Sequence, residues 1–313
     1  MGTALAGNGG LLPPGAHSPN AHRIREAYVV VLGFAAFVFL IVEGTLVAMI
    51  VKYRRGKRAR NLDGLQVHGS TRLEILWTVV PVVILVAIGA FIFVELPSIA
   101  NAPKASAADE TTITVEGHQF YWLFRYPNGA ISVGTMIAPA GEVVHENVLA
   151  PKTDVVHSWW VPALGGKIDA IPGRTNHTWF KAPAGTYAAR CSDLCGIQHA
   201  KMLATVEVVP RAQYEQFIST RAATPTAIEL GKQEFQGVCS VCHRLATAYV
   251  GPALATNPLL TDEKGLRGIL RNGVGNMPAV GDNWTNDQID ALVTYTKTLK
   301  KQAKKTGASG NAG

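Results

Sequence analysis

Two long apolar runs near the N-terminus make the first division of the chain. Residues 27–51 (AYVVVLGFAAFVFLIVEGTLVAMIV) and 75–96 (ILWTVVPVVILVAIGAFIFVEL) are apolar on every helical face, and each is long enough to cross a hydrocarbon layer of about 30 Å. They predict two transmembrane helices. The alternative, a hairpin buried in a globular core, is disfavoured because such cores rarely supply two helices without a polar face. Glu43 and Pro81 are the awkward residues well inside the runs, and Glu43 is expected to face protein, not lipid. From Thr111 to Pro210 the pattern changes to short alternating runs such as TTITVEGHQFYW, GEVVHENVLA, NHTWFKA, GTYAARC and KMLATVEVV. Gly, Pro and Asn break them up, and together they predict an all-β sandwich or barrel. Further on, apolar positions recur at helical intervals. Thr226 with Glu229 and Thr285 with Gln288 have capping-box spacing, and Ile289, Leu292, Val293 and Leu299 mark one face of a helix.

The pattern divides the chain into an N-terminal extracytoplasmic segment (1–23), a membrane hairpin (24–96), a Pro/Ala/Ser-rich connector (97–110) and a β domain (111–210). A linker (211–225), a small all-α domain (226–303) and a tail (304–313) follow. Charge then orients it. The net charge is +7, and the segment between the spans, 52–73, carries Lys52, Arg54, Arg55, Lys57, Arg58, Arg60 and Arg72 against Asp63 alone. By the positive-inside rule this segment is cytoplasmic and both ends of the chain lie outside. Membrane topology thus accounts for the basic run, and no nucleic-acid partner is expected. Residues 1–22 have no sustained apolar core, so the first span is expected to serve as the insertion signal.

The chain has four cysteines. Cys239, Cys242 and His243, in CSVCH, have the attachment pattern of a c-type haem, with both thiols forming thioethers and the histidine ligating iron. Met277, in the Gly/Pro-rich GNMPAV, is expected as the second axial ligand, and the Pro252 carbonyl as the group that orients His243. A redox dithiol would require a thioredoxin-like αβ pattern, which the sequence lacks. The other two cysteines fall in CSDLCGIQHAKM, with His199 and Met202 beside Cys191 and Cys195. A disulfide here would staple almost no chain and would leave the imidazole and thioether unexplained. A structural zinc, satisfied by two Cys and two His, makes Met202 superfluous. Copper uses every donor, and two thiolates in one loop can bridge two metals. The second imidazole must then come from a distant strand end, where His157 in DVVHSWWVP is the candidate. His17, His22, His68, His118, His145 and His177 are expected to be solvated or hydrogen-bonded at the surface.

With these residues in hand, the chain resembles subunit II of a haem-copper cytochrome c oxidase with a fused C-terminal cytochrome c domain. The resemblance runs from about Ile24 to Lys301 and rests on RLEILWTVVP, GHQFYW, HSWWVPALGGKIDAIPGR and CSDLCGIQHAKM, in order, followed by the c-type haem motif. It implies a cupredoxin fold for the β domain and a dinuclear copper A centre. The implied ligands are the side chains of His157, Cys191, Cys195, His199 and Met202, with the backbone carbonyl of Asp193. Asp193 stands where the family usually has a glutamate that helps bind magnesium at the subunit I interface. Phe120, with Tyr121 and Trp122, occupies the electron-uptake region, at a position where many relatives carry tryptophan. Glu74 matches a glutamate associated with proton uptake; a carboxylate favoured by the helix dipole is the other reading.

The resemblance also implies a two-span protein of the bacterial cytoplasmic membrane whose metal domains face outward, with subunit I and other oxidase subunits as partners. It implies no catalytic residue in this chain: oxygen is reduced in subunit I. Electrons are expected to pass from a cytochrome c or other reduced donor to haem c, to copper A and on to subunit I, with residues 211–225 as a tether. Two alternatives keep parts of this picture: the corresponding subunit of a copper A nitric oxide reductase, and a membrane-anchored zinc-binding or assembly module without electron transfer. A quinol oxidase subunit is disfavoured because such relatives lack the metal-binding cysteines.

Overall fold

The computed structural model describes residues 12–54, 66, 68–106, 109–222, 227–255, 257–260, 262–282 and 284–305. The chain forms two compact units, one of residues 22–101 and one comprising the rest. The first unit is built from helices α1 (Pro19–Tyr53) and α2 (Thr71–Ala100), whose most apolar stretches bury nothing within the protein. At 1.5 Å per residue each exceeds the roughly 30 Å needed to span a bilayer. Both helices overrun the expected boundaries. α1 begins with Pro19, because proline at the first helical position loses no needed amide. α2 continues through Pro97, whose carbonyl accepts the Asn101 amide, so the connector starts later than the sequence pattern indicated. Arg23 and Glu95 pair across the two helices at 3.6 Å. Of the basic segment, Lys52, Arg54 and Arg72 are described; Arg55, Lys57, Arg58, Arg60 and Asp63 lie outside the described residues, as does Thr226.

The β domain is a sandwich of two five-stranded sheets. One has the order β3-β2-β1-β5-β8, from Ile131–Val133, Tyr121–Arg125, Glu110–His118, Val143–Leu149 and Asn176–Phe180. The other has β4-β10-β9-β6-β7, from Thr135–Pro139, Leu203–Val209, Gly185–Cys191, His157–Trp160 and Ile168–Ala170. β1 runs parallel to β5 and β4 parallel to β10; the remaining pairs are antiparallel. Ile113, Val115, Trp122, Phe124, Val148, Trp159, Phe180 and Val206 face inward at every second position and fill the space between the sheets.

Most of the expected linker is folded. Arg211–Ala222 forms helix α3, which lays Tyr214, Phe217 and Ile218 on the sandwich core. Its i, i+3, i+4 spacing makes an apolar stripe, so this stretch is an arm of the β domain, not a free tether. The helical domain contains α4 (Ala227–Gly237), α5 (Glu263–Asn272) and α6 (Asn286–Lys305). α4 crosses α6 at Gly231, where a Cβ would overlap the Ala291 carbonyl. α6 starts in the expected capping box: the Thr285 amide donates to Gln288 Oε1 at 3.1 Å and the Gln288 amide to Thr285 Oγ1 at 3.3 Å. Ile289, Leu292, Val293 and Leu299 are all buried. α4 stops at Gly237 and gives way to a 3-10 turn at Cys239–Val241.

Candidate metal centres

Two strand ends and one loop build the first centre. β6 begins at His157 and β9 ends at Cys191, and the pairing of Trp159 with Cys191 sets both at the same edge of the sandwich. The Cys191 amide donates to the Met202 carbonyl at 3.0 Å, and the Ser192 amide to the Ser158 carbonyl at 2.9 Å, clamping the base of the loop. Gly196 turns it in the left-handed region, φ 131°, where a side chain would meet the Phe120 ring. A 3-10 turn at His199–Lys201 then returns the chain to β10.

All six predicted donors converge. Cys191 Sγ and Cys195 Sγ are 3.8 Å apart and both thiols are free. Around them stand His157 Nδ1, 4.0 Å from Cys191 Sγ, and His199 Nδ1, 3.7 Å from Cys195 Sγ. Met202 Sδ is 3.7 Å from Cys195 Sγ, and the Asp193 carbonyl oxygen 3.2 Å from Cys191 Sγ. His157 and Met202 are fully buried, and Trp122, its ring 6.1 Å from that of His157, walls off one side. The contact between the two thiols holds the Cys191 thiol far below its usual range and, together with burial, pushes the Cys195 thiol up. Two thiolates this close repel each other unless cations lie between them, and metal ligation supplies those cations.

A second ring of contacts supports the donors. Asp154 Oδ1 lies 3.1 Å from His157 Nε2 and accepts its N–H, leaving Nδ1 toward the sulfurs, while the Gln119 backbone amide donates to Asp154 Oδ2 at 3.1 Å. Burial raises the Asp154 pKa, but these bonds outweigh it and hold the carboxyl below the usual range. Gln119 Nε2 also donates to the Cys195 carbonyl at 2.6 Å. Neither residue was picked out from the sequence; a carboxylate three positions before a candidate ligand histidine was the available signal.

Deeper in the sandwich the Trp159 indole donates to Glu146 Oε1 at 2.9 Å, and burial pushes the Glu146 carboxyl up to about 7. Folded protein therefore keeps a proton that the unfolded chain releases near pH 4.5. The contribution of Glu146 to stability is fully present below that pH and is lost as pH rises through 7, for a loss on the order of 3 kcal/mol. Urea unfolding between pH 4.5 and 7.5 measures this decline, and Glu146→Gln is expected to make it shallower while leaving the part due to Glu234, whose carboxyl burial pushes up to about 9.

The second centre lies in the helical domain. Cys239 and Cys242 are free, half-buried thiols on one 3-10 turn, and the amides of Cys242 and His243 both donate to the Cys239 carbonyl. His243 Nδ1 donates to the Pro252 carbonyl at 3.0 Å, as expected, which leaves Nε2 for iron. Gly251 packs so closely on this imidazole that a Cβ would overlap the ring. Met277 closes a turn with Val274, the two exchanging backbone hydrogen bonds of 2.9 and 3.0 Å.

The remaining sequence candidates fall elsewhere. Glu74 sits in the first turn of α2 and accepts the Ser70 amide at 3.3 Å, a capping geometry. Glu43 is exposed on α1, and the Asp193 side chain is exposed beside the thiols. His118, expected at the surface, is instead buried, with its ring stacked on Tyr121 at 4.6 Å.

The donors fit their groups. Six donors, two thiol sulfurs with four others around them, exceed the four of a tetrahedral zinc and suit a pair of soft-ligated coppers. Two thiols and an imidazole with a free Nε2 suit a covalently held haem. Fold and sites thus define a membrane-anchored metalloprotein with a cupredoxin-like domain and a cytochrome c domain.

Comparison with known proteins gives the same answer. Residues 6–94 match the cytochrome c oxidase subunit II transmembrane domain, 134–209 its periplasmic domain, and 226–295 the family described as cytochrome c oxidase, cbb3-type, subunit III. Cytochrome c oxidase subunit 2 of Alkalihalophilus pseudofirmus is 33% identical, covering 90% of this chain and 89% of the relative. That of Cereibacter sphaeroides is 34% identical over 64% of this chain and 77% of its own. Among solved structures, the periplasmic domain of subunit II from Bradyrhizobium japonicum is 36% identical, with a TM-score of 0.35, and covers 39% of this chain and 98% of its own. The chain belongs to the cytochrome c oxidase subunit II family. It is a membrane subunit of a cytochrome c oxidase complex, with two N-terminal spans and a periplasmic sandwich as in bacterial subunit II, and it works alongside the other oxidase subunits.

Proposed function

We propose that this chain carries electrons from a reduced donor, a cytochrome c or its equivalent, into the oxygen-reducing subunit through a haem c and a copper A pair of its own. When bound, each of these groups takes up and releases a single electron. Cys239 and Cys242 would hold the haem covalently, and His243 and Met277 would ligate its iron. His157, Cys191, Cys195, His199, Met202 and the Asp193 carbonyl would hold two coppers. The protein's part is to fix these donors in advance. Asp154 selects the His157 tautomer, Pro252 does the same for His243, and Trp122 and the buried Met202 keep water from the sulfurs, so that little has to rearrange when charge arrives.

The observation that carries the reading is the grouping of four further donor atoms about two thiols 3.8 Å apart. Metal analysis of the purified full-length protein tests it. Two coppers and one haem per chain are expected, and one zinc in place of the coppers would overturn it. Asp154→Asn is expected to weaken copper retention about 10- to 100-fold against a chelator, the range for loss of an outer-shell partner.

A further inference from the structure

β2 is buried on both faces. Trp122 and Phe124 point into the sandwich, whereas Tyr121 and Leu123, one residue out of phase, point away from it and are still only 2% and 0% exposed. A sheet face open to solvent would be polar at these positions. Here the face is covered by the helical domain: Tyr121, Leu123 and Val133 form one cluster with Phe235, Val238, Leu270 and Trp284. Gly237, two residues before Cys239, sits so tightly on Val133 that it has no room for a Cβ.

Polar contacts fix the register of this seam. The Trp284 indole donates to the Tyr121 hydroxyl at 2.6 Å, and Thr153 Oγ1 lies 2.9 Å from an Asp282 carboxylate oxygen. Tyr121 directly follows Gln119 and Phe120, which hold Cys195 and Gly196 of the first centre. A second contact joins the two metal-binding loops. Lys201 Nζ, next to Met202, lies 3.8 Å above the ring of Tyr249, which the Arg244 guanidinium also approaches at 4.5 Å. The Tyr249 amide donates to the Gly251 carbonyl, and the Gly251 amide to the Cys242 carbonyl.

We propose that the two domains are one docked unit, pinned at the Tyr121–Trp284 hydrogen bond and at Lys201 on Tyr249, so that the two metal-binding loops meet in a fixed geometry. Tyr121 and Trp284 are positioning residues. Their link to electron transfer rests on the reading above; the docking itself does not.

Full-length protein in detergent, followed by peptide-resolved hydrogen exchange along a urea ramp, tests the docking with or without bound groups. Coincident midpoints are expected for peptides of the sandwich and of the helical domain. Tyr121→Phe, which keeps the ring and removes the hydroxyl, is expected to lower the helical-domain midpoint by about 0.5 M. Gly237→Leu, which forces α4 off Val133, is expected to separate the midpoints by about 1 M or more. In the loaded protein Gly237→Leu is also expected to slow electron passage between the two centres by about tenfold or more, with both absorption spectra unchanged. Separate midpoints in the unaltered protein, or an unmoved helical-domain midpoint in Tyr121→Phe, would overturn the docking. Failure to find copper or haem would overturn the metal reading and leave the urea ramp decisive for the docking.

Discussion

Cys195→Ser is expected to empty the copper loop and to stop electron flow through the chain while leaving the haem spectrum as it was. Cys195 Sγ is the hub of the site, with Cys191 Sγ, His199 Nδ1 and Met202 Sδ all within 3.8 Å. A serine hydroxyl is neither soft nor ionised at neutral pH, so it can neither replace the thiolate nor balance a second cation beside Cys191. Loss of an outer-shell partner costs about 10- to 100-fold in metal affinity, and loss of a bridging ligand is expected to exceed that range. Copper content and the visible absorption of the full-length variant check the prediction. Retention of two coppers would show that the sulfurs are not shared between them.

Gly231→Val is expected to give the largest loss of stability in the helical domain. At this position α4 meets the Ala291 carbonyl of α6, and a Cβ would overlap backbone that no rotamer change can move. Overpacking typically costs about 1–3 kcal/mol, and backbone on one side of the contact places this case at the upper end. For the helical domain unfolding together with the sandwich, that corresponds to a fall of roughly 10 °C in melting temperature. Thermal unfolding followed at the haem absorption band measures it. A shift of only a few degrees would mean that the helices slide past each other without separating.

The two donor clusters were legible because their residues are local in the sequence. CSVCH and CSDLCGIQHAKM each place most of their donors within one turn or loop, and in the described structure His157 joins the second from the neighbouring strand. The α6 capping box was legible for the same reason, since Thr285 and Gln288 bond across three residues. What escaped was non-local or weakly patterned. Residues 211–225 read as a linker because RAQYEQFISTRA is mostly polar, although Tyr214, Phe217 and Ile218 have the spacing of one helix face.

Tyr121 and Trp284 are 163 residues apart, and no periodicity announces their hydrogen bond. The one hint was the unbroken apolar run YWLF, which in a half-exposed strand would have alternated. His118 was placed at the surface for want of that same information, because the ring that buries it, Tyr121, is itself covered by the helical domain.

Low-temperature electron paramagnetic resonance of the oxidised full-length protein tests the central claim most directly. The account predicts the hyperfine pattern of one unpaired electron shared equally by two copper nuclei. The pattern of a single copper nucleus, or a silent site that holds zinc, would contradict it.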